Sequence, residues 1–373
     1  MLCLCLAQIS GFCQKRYQFV DAKNFPVPDS ERIELCLAGK KLPEWMTDVI
    51  AKEVQPFAPF TVQELDDFLH RTEWTLLHFR IRGGKVWFRC NEDSLYQVAV
   101  DFARAFQRLV DCPEVDLKDG DFLLDFADTV SGSKSPFPVL CICKYPASNF
   151  IMIPDWFSLS SQKNVLMDTV DKGNRAYPWE SKVDKAFWIG SPNSPHLERN
   201  EEWKTKSLRG CLVNFSLAHP DMLWARFSSF SRQEKRLCSE MRSKKTYRDI
   251  TAPRIEPDAA MHYKYQIDVD GWGCGYHRCF WTLYSNCVAI KQNEGGSIQW
   301  YYAGLVPFVH YVPYKPDCCD LESRIRWLRE HDDKAQEIAQ SGRRFAQDFL
   351  TTDMCYLYFY EVLLRLNKLN LSI

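Results

Sequence analysis

The stretch YKYQIDVDGWGCGYHRCFWTLYSNCVAIK, Tyr263 to Lys291, restricts the fold more than any other part of this chain. Two β-rich runs, Tyr263–Asp270 and Cys287–Lys291, flank a glycine-rich turn and a segment, roughly Tyr276 to Tyr284, able to form a helix. Strand, turn, helix and strand in that order make a βαβ unit. Such a unit belongs to an open α/β sheet, which binds ligands at the carboxyl ends of its strands. The turn Gly271–Tyr276 lies at such an end.

Other segments agree with an α/β class. WTLLHFRIRGGKVWFRC (Trp74–Cys90) has two β-rich runs around Gly83-Gly84, a hairpin signal. DSLYQVAVDFARAFQRLVD (Asp93–Asp111) repeats apolar residues at helical spacing. FLLDF (Phe122–Phe126) and PVLCICK (Pro138–Lys144) are short apolar runs of the kind buried on both faces of a parallel sheet. KAFWIG (Lys185–Gly190) reads as a strand that enters a loop rich in Pro, Ser and Asn. The last part reads as helical: Asp320 before LESRIRWLREHD, a capping box of Asp333 and Gln336, and Thr352 as cap of a final helix. At 373 residues the chain exceeds the size at which one core stops growing, about 250–300 residues. The expected division is 1–155, 156–350 and a C-terminal helix over 351–373.

Charge is balanced, 47 Lys+Arg against 48 Asp+Glu, which argues against a strongly basic nucleic-acid binder. The sixteen cysteines show no CxxC pairs at zinc spacing and read as reduced, mostly buried thiols. MLCLCLAQISGFC at the N-terminus is apolar, lacks a basic flank and is shorter than the roughly 20 residues that span a bilayer. It reads as a buried strand or a membrane-surface contact.

DVDGWGCGYHR supports three chemistries. Asp268 and Asp270 share a strand face and can chelate a hard cation. Cys274 stands between glycines at a helix start, where a thiol becomes a nucleophile if a histidine orients it; GWGC resembles the entry to the active site of ubiquitin-fold-modifier proteases. Gly271, Gly273 and Gly275 let backbone amides and Tyr276 approach an anion, and Arg278 adds a fork suited to a diphosphate. A plain structural turn with a surface arginine is the bland alternative to all three.

From Tyr263 to Tyr356 the sequence resembles the CAP10-domain glycosyltransferases, glycosyltransferase family 90, which include Rumi-like protein O-glucosyltransferases and bacterial lipopolysaccharide-A-type proteins. The segments that carry the resemblance are YKYQIDVDG, GYHRCFWTLYSNCVAIKQ, IQWYYAGLVPFVHYVPYKPD and DLESRIRWLREHDDKAQEIAQSGRRFAQDFLT. Upstream, FLLDFADT looks like the family strand that ends in a catalytic aspartate, here Asp128. PVLCICK looks like the strand with its lysine, here Lys144. PWESKVDKAFWIGS (Pro178–Ser191) looks like the family segment WxxKxxKAFWRGS, with Ile189 in place of the usual arginine. Arg199 is the candidate substitute.

The resemblance implies a GT-B-like enzyme with two Rossmann-like domains facing a central cleft, a UDP-sugar donor and no obligatory metal or other cofactor. It implies inverting transfer of glucose, xylose or a similar sugar to a hydroxyl acceptor. Asp128 would be the base; Gly190, Ser191, Arg199, Gly271, Gly273, Gly275, Tyr276, Arg278 and Gln299 would hold the donor. Lys144 reads as a positioning or structural charge. Tyr265, Trp300 and Tyr301 are either stacking platforms or core, and His310 reads as a core histidine. LYSNCVAIKQ is closest in wording to the lipopolysaccharide-type members. The first expectation is therefore a glycan or lipid-linked acceptor and a cytoplasmic or membrane-peripheral enzyme; the alternative is a protein acceptor in the secretory-pathway lumen. A thiol protease using Cys274 and an inactive nucleotide-sugar binder are the rivals from other classes.

Overall fold

The computed structural model describes residues 18–27, 32–90, 97–130, 132–192, 207–228, 246–293 and 295–371. The apolar N-terminal run, Arg199 and the first residues of the Asp93–Asp111 helix lie outside them. The chain forms two compact units. The first takes residues 1–164, 297–304 and 351–373; the second takes 165–296 and 305–350. The final segment therefore belongs with the first unit.

In the first unit a six-stranded sheet has the order β1-β4-β3-β5-β6-β7. Its strands are β1 (Val20–Asp21), β3 (Leu76–Arg82), β4 (Lys85–Cys90), β5 (Gly120–Asp125), β6 (Val139–Cys141) and β7 (Ile151–Met152). β3 and β4 form the expected hairpin, with Gly83 and Gly84 both left-handed (φ 55° and 73°), as a two-residue turn matching the strand twist requires. β5, β6 and β7 are parallel, as the two buried runs led one to expect, but β1, β4, β3 and β5 pair antiparallel. The sheet is therefore mixed rather than uniformly parallel. A small parallel pair joins β2 (Phe60–Thr61) to β13 (Asn370–Leu371).

One face of the six-stranded sheet is aromatic. Phe106, on helix α3 (Gln97–Val110), which follows α1 (Glu44–Val54) and α2 (Val62–Arg71), stacks on Phe79 of β3 at 4.3 Å and meets Phe359 at 4.9 Å. Phe359 lies on the terminal helix, Thr352–Asn367, whose cap is Thr351 rather than Thr352: the Thr351 hydroxyl accepts from the Met354 amide. His78, buried elsewhere in this sheet, lies with Nε2 2.6 Å from Asp121 and accepts from Arg89 at Nδ1. Burial pushes the Asp121 carboxyl up, but His78 and Arg80 outweigh it and hold the group below the usual carboxylate range.

The second unit carries a five-stranded parallel sheet in the order β12-β11-β10-β8-β9. The strands are β8 (Val183–Gly190), β9 (Leu223–Phe227), β10 (Tyr263–Asp268), β11 (Val288–Gln292) and β12 (Val312–Tyr314). β8 shows why its second half, Ala186–Ile189, is a continuous apolar run. Ala186 and Trp188 enter one core with Leu212, Ile267 and Ile325, while Phe187 and Ile189 enter another with Val170 and Trp281. Both faces are covered, so neither alternate set is polar. The chain runs from β8 outward to β9, then returns to the other side of β8 to lay down β10, β11 and β12. The order reverses between β8 and β10, so the crevice beyond their carboxyl ends is the topological switch point.

Among the described residues, six helices accompany the second unit's sheet after α4 (Gln162–Ala176), which starts in the first unit. They are α5 (Leu208–Ala218), α6 (Thr246–Ile250), α7 (Pro257–Ala260), α8 (His277–Tyr284), α9 (Leu321–Glu330) and α10 (Asp332–Phe349); the terminal helix is α11. α10 starts one residue before the expected capping box. His331 is its N-cap, with no side-chain capping bond; Asp332 instead accepts from Lys264 and the Trp179 indole.

Candidate functional site

The switch point brings together most of the donor residues expected from sequence. β8 ends at Gly190, where a Cβ would lie 2.8 Å from the Trp188 ring, so only glycine fits. Ser191 follows it. β10 delivers Asp268, Asp270 and the turn Gly271–Tyr276, in which the Gly271 amide donates to the Gly273 carbonyl at 2.8 Å. α8 begins where the Arg278 amide closes on the Gly275 carbonyl at 2.9 Å. The N-cap Tyr276 takes a left-handed backbone (φ 44°), rare outside glycine and commonest where function fixes a conformation. Gly275 is required by space rather than by backbone angle: a Cβ there would stand 1.9 Å from the Asp268 carboxylate.

Two arginines tie the strand ends together. Arg278 donates to the carbonyl of Ile189, and burial lowers its pKa to about 10, so it keeps its charge at neutral pH. Arg209, in the first turn of α5, donates to the Ser191 carbonyl at 3.0 Å, the Ser191 hydroxyl at 3.3 Å and the Asp270 carbonyl at 3.2 Å. Sequence reading missed Arg209. The one local signal was an arginine two residues after Ser207, which caps α5 through the Gly210 amide. Ile189, where the family resemblance led one to expect an arginine, is 4 % exposed and packs in the core with Val170 and Trp281. Two guanidinium groups and the positive end of a helix therefore meet at one strand-end crevice, an arrangement of the kind that suits an anion.

The other two readings of the opening turn find less support. Asp268 is 1 % exposed, with Lys291 Nζ 3.9 Å away, and Asp270 packs against Gly296; both carboxylates are built into the strand ends. Cys274 is buried. Burial and the neighbouring Arg278 lower the His277 pKa to about 4, which leaves it neutral near pH 7.

In the first unit Asp128 follows β5 on a bend and is half-buried. The residue that caps this turn is Asp125, whose carboxylate accepts from the Ala127 amide at 2.8 Å and is raised by burial. Lys144 is structural: its ammonium pairs with Glu53 at 2.7 Å and donates to the Phe150 carbonyl at 2.5 Å. Its backbone also bridges Ile298, beside buried Gln299, so Gln299 belongs to the first unit. Tyr265, Trp300 and Tyr301 are buried core, and His310 accepts from the Val306 amide while lying against Phe345.

Comparison with known proteins gives the arrangement a lineage. Glycosyl transferase family 90 matches residues 46–371, nearly the whole chain. The sequence is 26% identical over 309 residues to protein O-glucosyltransferase 2 of Danio rerio, covering 80% of this chain and 56% of the relative. It is 28% identical over 252 residues to human protein O-glucosyltransferase 3, covering 65% and 44% respectively. Human protein O-glucosyltransferase 1 matches at 24% over 196 residues, 52% of this chain and 44% of the relative. The chain thus spans about half the length of these curated relatives. Among the described residues no helix is long and apolar enough to cross a membrane. A strand-end crevice with paired arginines lies within a chain matched from residue 46 to residue 371, and this chain belongs to glycosyl transferase family 90.

Proposed function

We propose that the chain transfers glucose, xylose or a similar sugar from a UDP-sugar to a hydroxyl acceptor with inversion. The observation that carries this reading is the pair Arg209 and Arg278 at the β8–β10 switch point, beside the start of α8. The donor diphosphate would lie on the turn Gly271–Tyr276 and Ser191. The acceptor oxygen attacks the anomeric carbon from the side opposite the phosphate, and its proton passes to Asp128. As the bond between the anomeric carbon and the phosphate oxygen breaks, negative charge grows on the UDP and is met by the two arginines. The roles of Asp128 and the GT-B-like arrangement rest on the family resemblance. Donor chemistry in this scheme uses the protein's own cations and amides.

Protein O-glucosyltransferases among the relatives put a protein hydroxyl first among acceptors to test. A surface glycan or lipopolysaccharide acceptor is the second reading, supported by LYSNCVAIKQ alone. The compartment follows the acceptor: secretory lumen for the first, cytoplasmic or membrane-peripheral for the second. The test uses the purified chain with UDP-glucose and UDP-xylose, and with UDP alone in calorimetry. UDP should bind, and UDP release should require an acceptor. Asp128→Asn should bind UDP as before while turnover is lost; full turnover in that variant removes Asp128 as base, and absence of UDP binding by the unsubstituted chain removes the donor reading.

A further inference from the structure

Lys182 presents a problem that the transfer reaction does not solve. It is 6 % exposed, directly before β8, yet among the described residues no carboxylate pairs with it. Its ammonium nitrogen donates to the Met261 carbonyl and lies 3.4 Å from the sulfur of Cys287, itself 1 % exposed. Met261 precedes β10 and Cys287 precedes β11, so the three groups meet at the amino-terminal end of the parallel sheet, the end opposite the glycine turn. A buried amine without a counter-charge is costly as a cation. Burial accordingly lowers the Lys182 pKa, favouring a neutral amine whose lone pair is a nucleophile.

We propose that Lys182 and Cys287 form an oxidative cross-linking site, in which peroxide converts the contact between nitrogen and sulfur into a covalent N–S bond. First, the Cys287 sulfur attacks one peroxide oxygen. The O–O bond breaks, an S–O bond forms, and the departing hydroxide takes the thiol proton to leave water. The sulfenic acid so formed is the first rung of thiol oxidation and condenses with nitrogen nucleophiles. Second, the Lys182 nitrogen attacks that sulfur. The S–O bond breaks, and the second hydroxide takes one N–H proton to leave water. One peroxide is reduced, the thiol–amine pair is oxidised by two electrons, and two waters leave. The link would staple the entry to β8 to the entry to β11, across β10 between them. A dithiol restores the starting pair: its first sulfur attacks the Cys287 sulfur, the N–S bond breaks and the amine takes the thiol proton, and its second sulfur then releases Cys287 as a thiol and leaves a cyclic disulfide.

The test is stepwise peroxide treatment of the full chain, followed by peptide mass spectrometry. The expected product is a peptide joined through positions 182 and 287, lighter than its two parts by two hydrogens and separated by dithiothreitol. Lys182→Arg fills the same space with a guanidinium and no nucleophilic amine; in it Cys287 should collect oxygen adducts without a link. Exposed Cys36 and Cys319 report that oxidant was sufficient. The proposal is overturned if Cys287 of the unsubstituted chain gains oxygens without a link, or stays unmodified while Cys36 and Cys319 oxidise. It is equally overturned if a link at Cys287 persists in Lys182→Arg. Should that variant fail to fold, mapping of the unsubstituted chain still decides.

Discussion

Arg209 and Arg278 do different work although both reach backbone carbonyls. Arg209 spreads its contacts over Ser191 and Asp270, so it sets the spacing between the ends of β8 and β10. Lysine cannot reproduce that span with a single ammonium. Arg209→Ala should weaken UDP binding by about 1.5–3 kcal/mol, the usual range for hydrogen bonds to charged groups, and Arg209→Lys should recover less than half of it. Calorimetry against UDP gives the answer; an unchanged dissociation constant in Arg209→Ala would take the residue out of the site. Arg278→Ala should cost roughly 2–4 kcal/mol in kcat/KM, as for loss of a transition-state donor. It also strips the Ile189 carbonyl of a partner, so part of the loss will show as a lower melting temperature. Equal losses in UDP binding and in kcat/KM would mean that Arg278 holds the donor without favouring its departure.

The turn between β10 and α8 is the element on which the proposed donor site stands, and its shape depends on what lies beneath it. Asp268 fills the space that a side chain at position 275 would need. Gly275→Ala should therefore displace the turn, abolish measurable UDP binding and destabilise the second unit by about 1–3 kcal/mol, the usual cost of overpacking. Asp268→Ala in the same chain removes the clash, so the double variant should regain stability relative to Gly275→Ala. A denaturant double-mutant cycle measures that coupling, and strict additivity would show that the contact does not constrain the turn. The neighbouring elements were largely legible. β-branched and aromatic runs marked β8, β10 and β11, and the Gly83-Gly84 pair marked the hairpin, because these signals are local. Helix caps were less so: α10 starts at Asp332 with His331 as its N-cap, ahead of the Asp333–Gln336 pattern, and Asp332 bonds to Lys264 and Trp179, partners distant in sequence that no local pattern records.

At the scale of the molecule, the first unit is assembled from three separate stretches of chain. α11 supplies Tyr356, Tyr358, Phe359, Val362, Leu363 and Leu366 to its interior, all buried. At about 1.5–3 kcal/mol for each large buried apolar side chain, their loss is comparable to or greater than a typical total stability of about 5–15 kcal/mol. A chain that stops after Leu350 should lose the cooperative unfolding of the first unit and retain UDP binding by the second, whose residues all precede the cut. Differential scanning calorimetry with and without UDP tests both halves of the statement. Two intact transitions in the shortened chain would refute the assignment of α11.

Sequence alone determined the α/β class, the βαβ unit and the family, because apolar periodicity and ordered motifs are properties of neighbouring residues. It also marked Gly190, Ser191 and Gly271–Arg278 as one candidate set. Only the tertiary structure decided that Arg209, from a helix start, joins the Ser191 and Asp270 ends, that Ile189 is core, and that Gln299 belongs to the first unit. Those facts depend on strand order and on which distant side chains compete for a buried carbonyl or carboxylate. The crossover that returns the chain from β9 to β10 creates the switch point, and a crossover is a relation among elements rather than a pattern within any one of them.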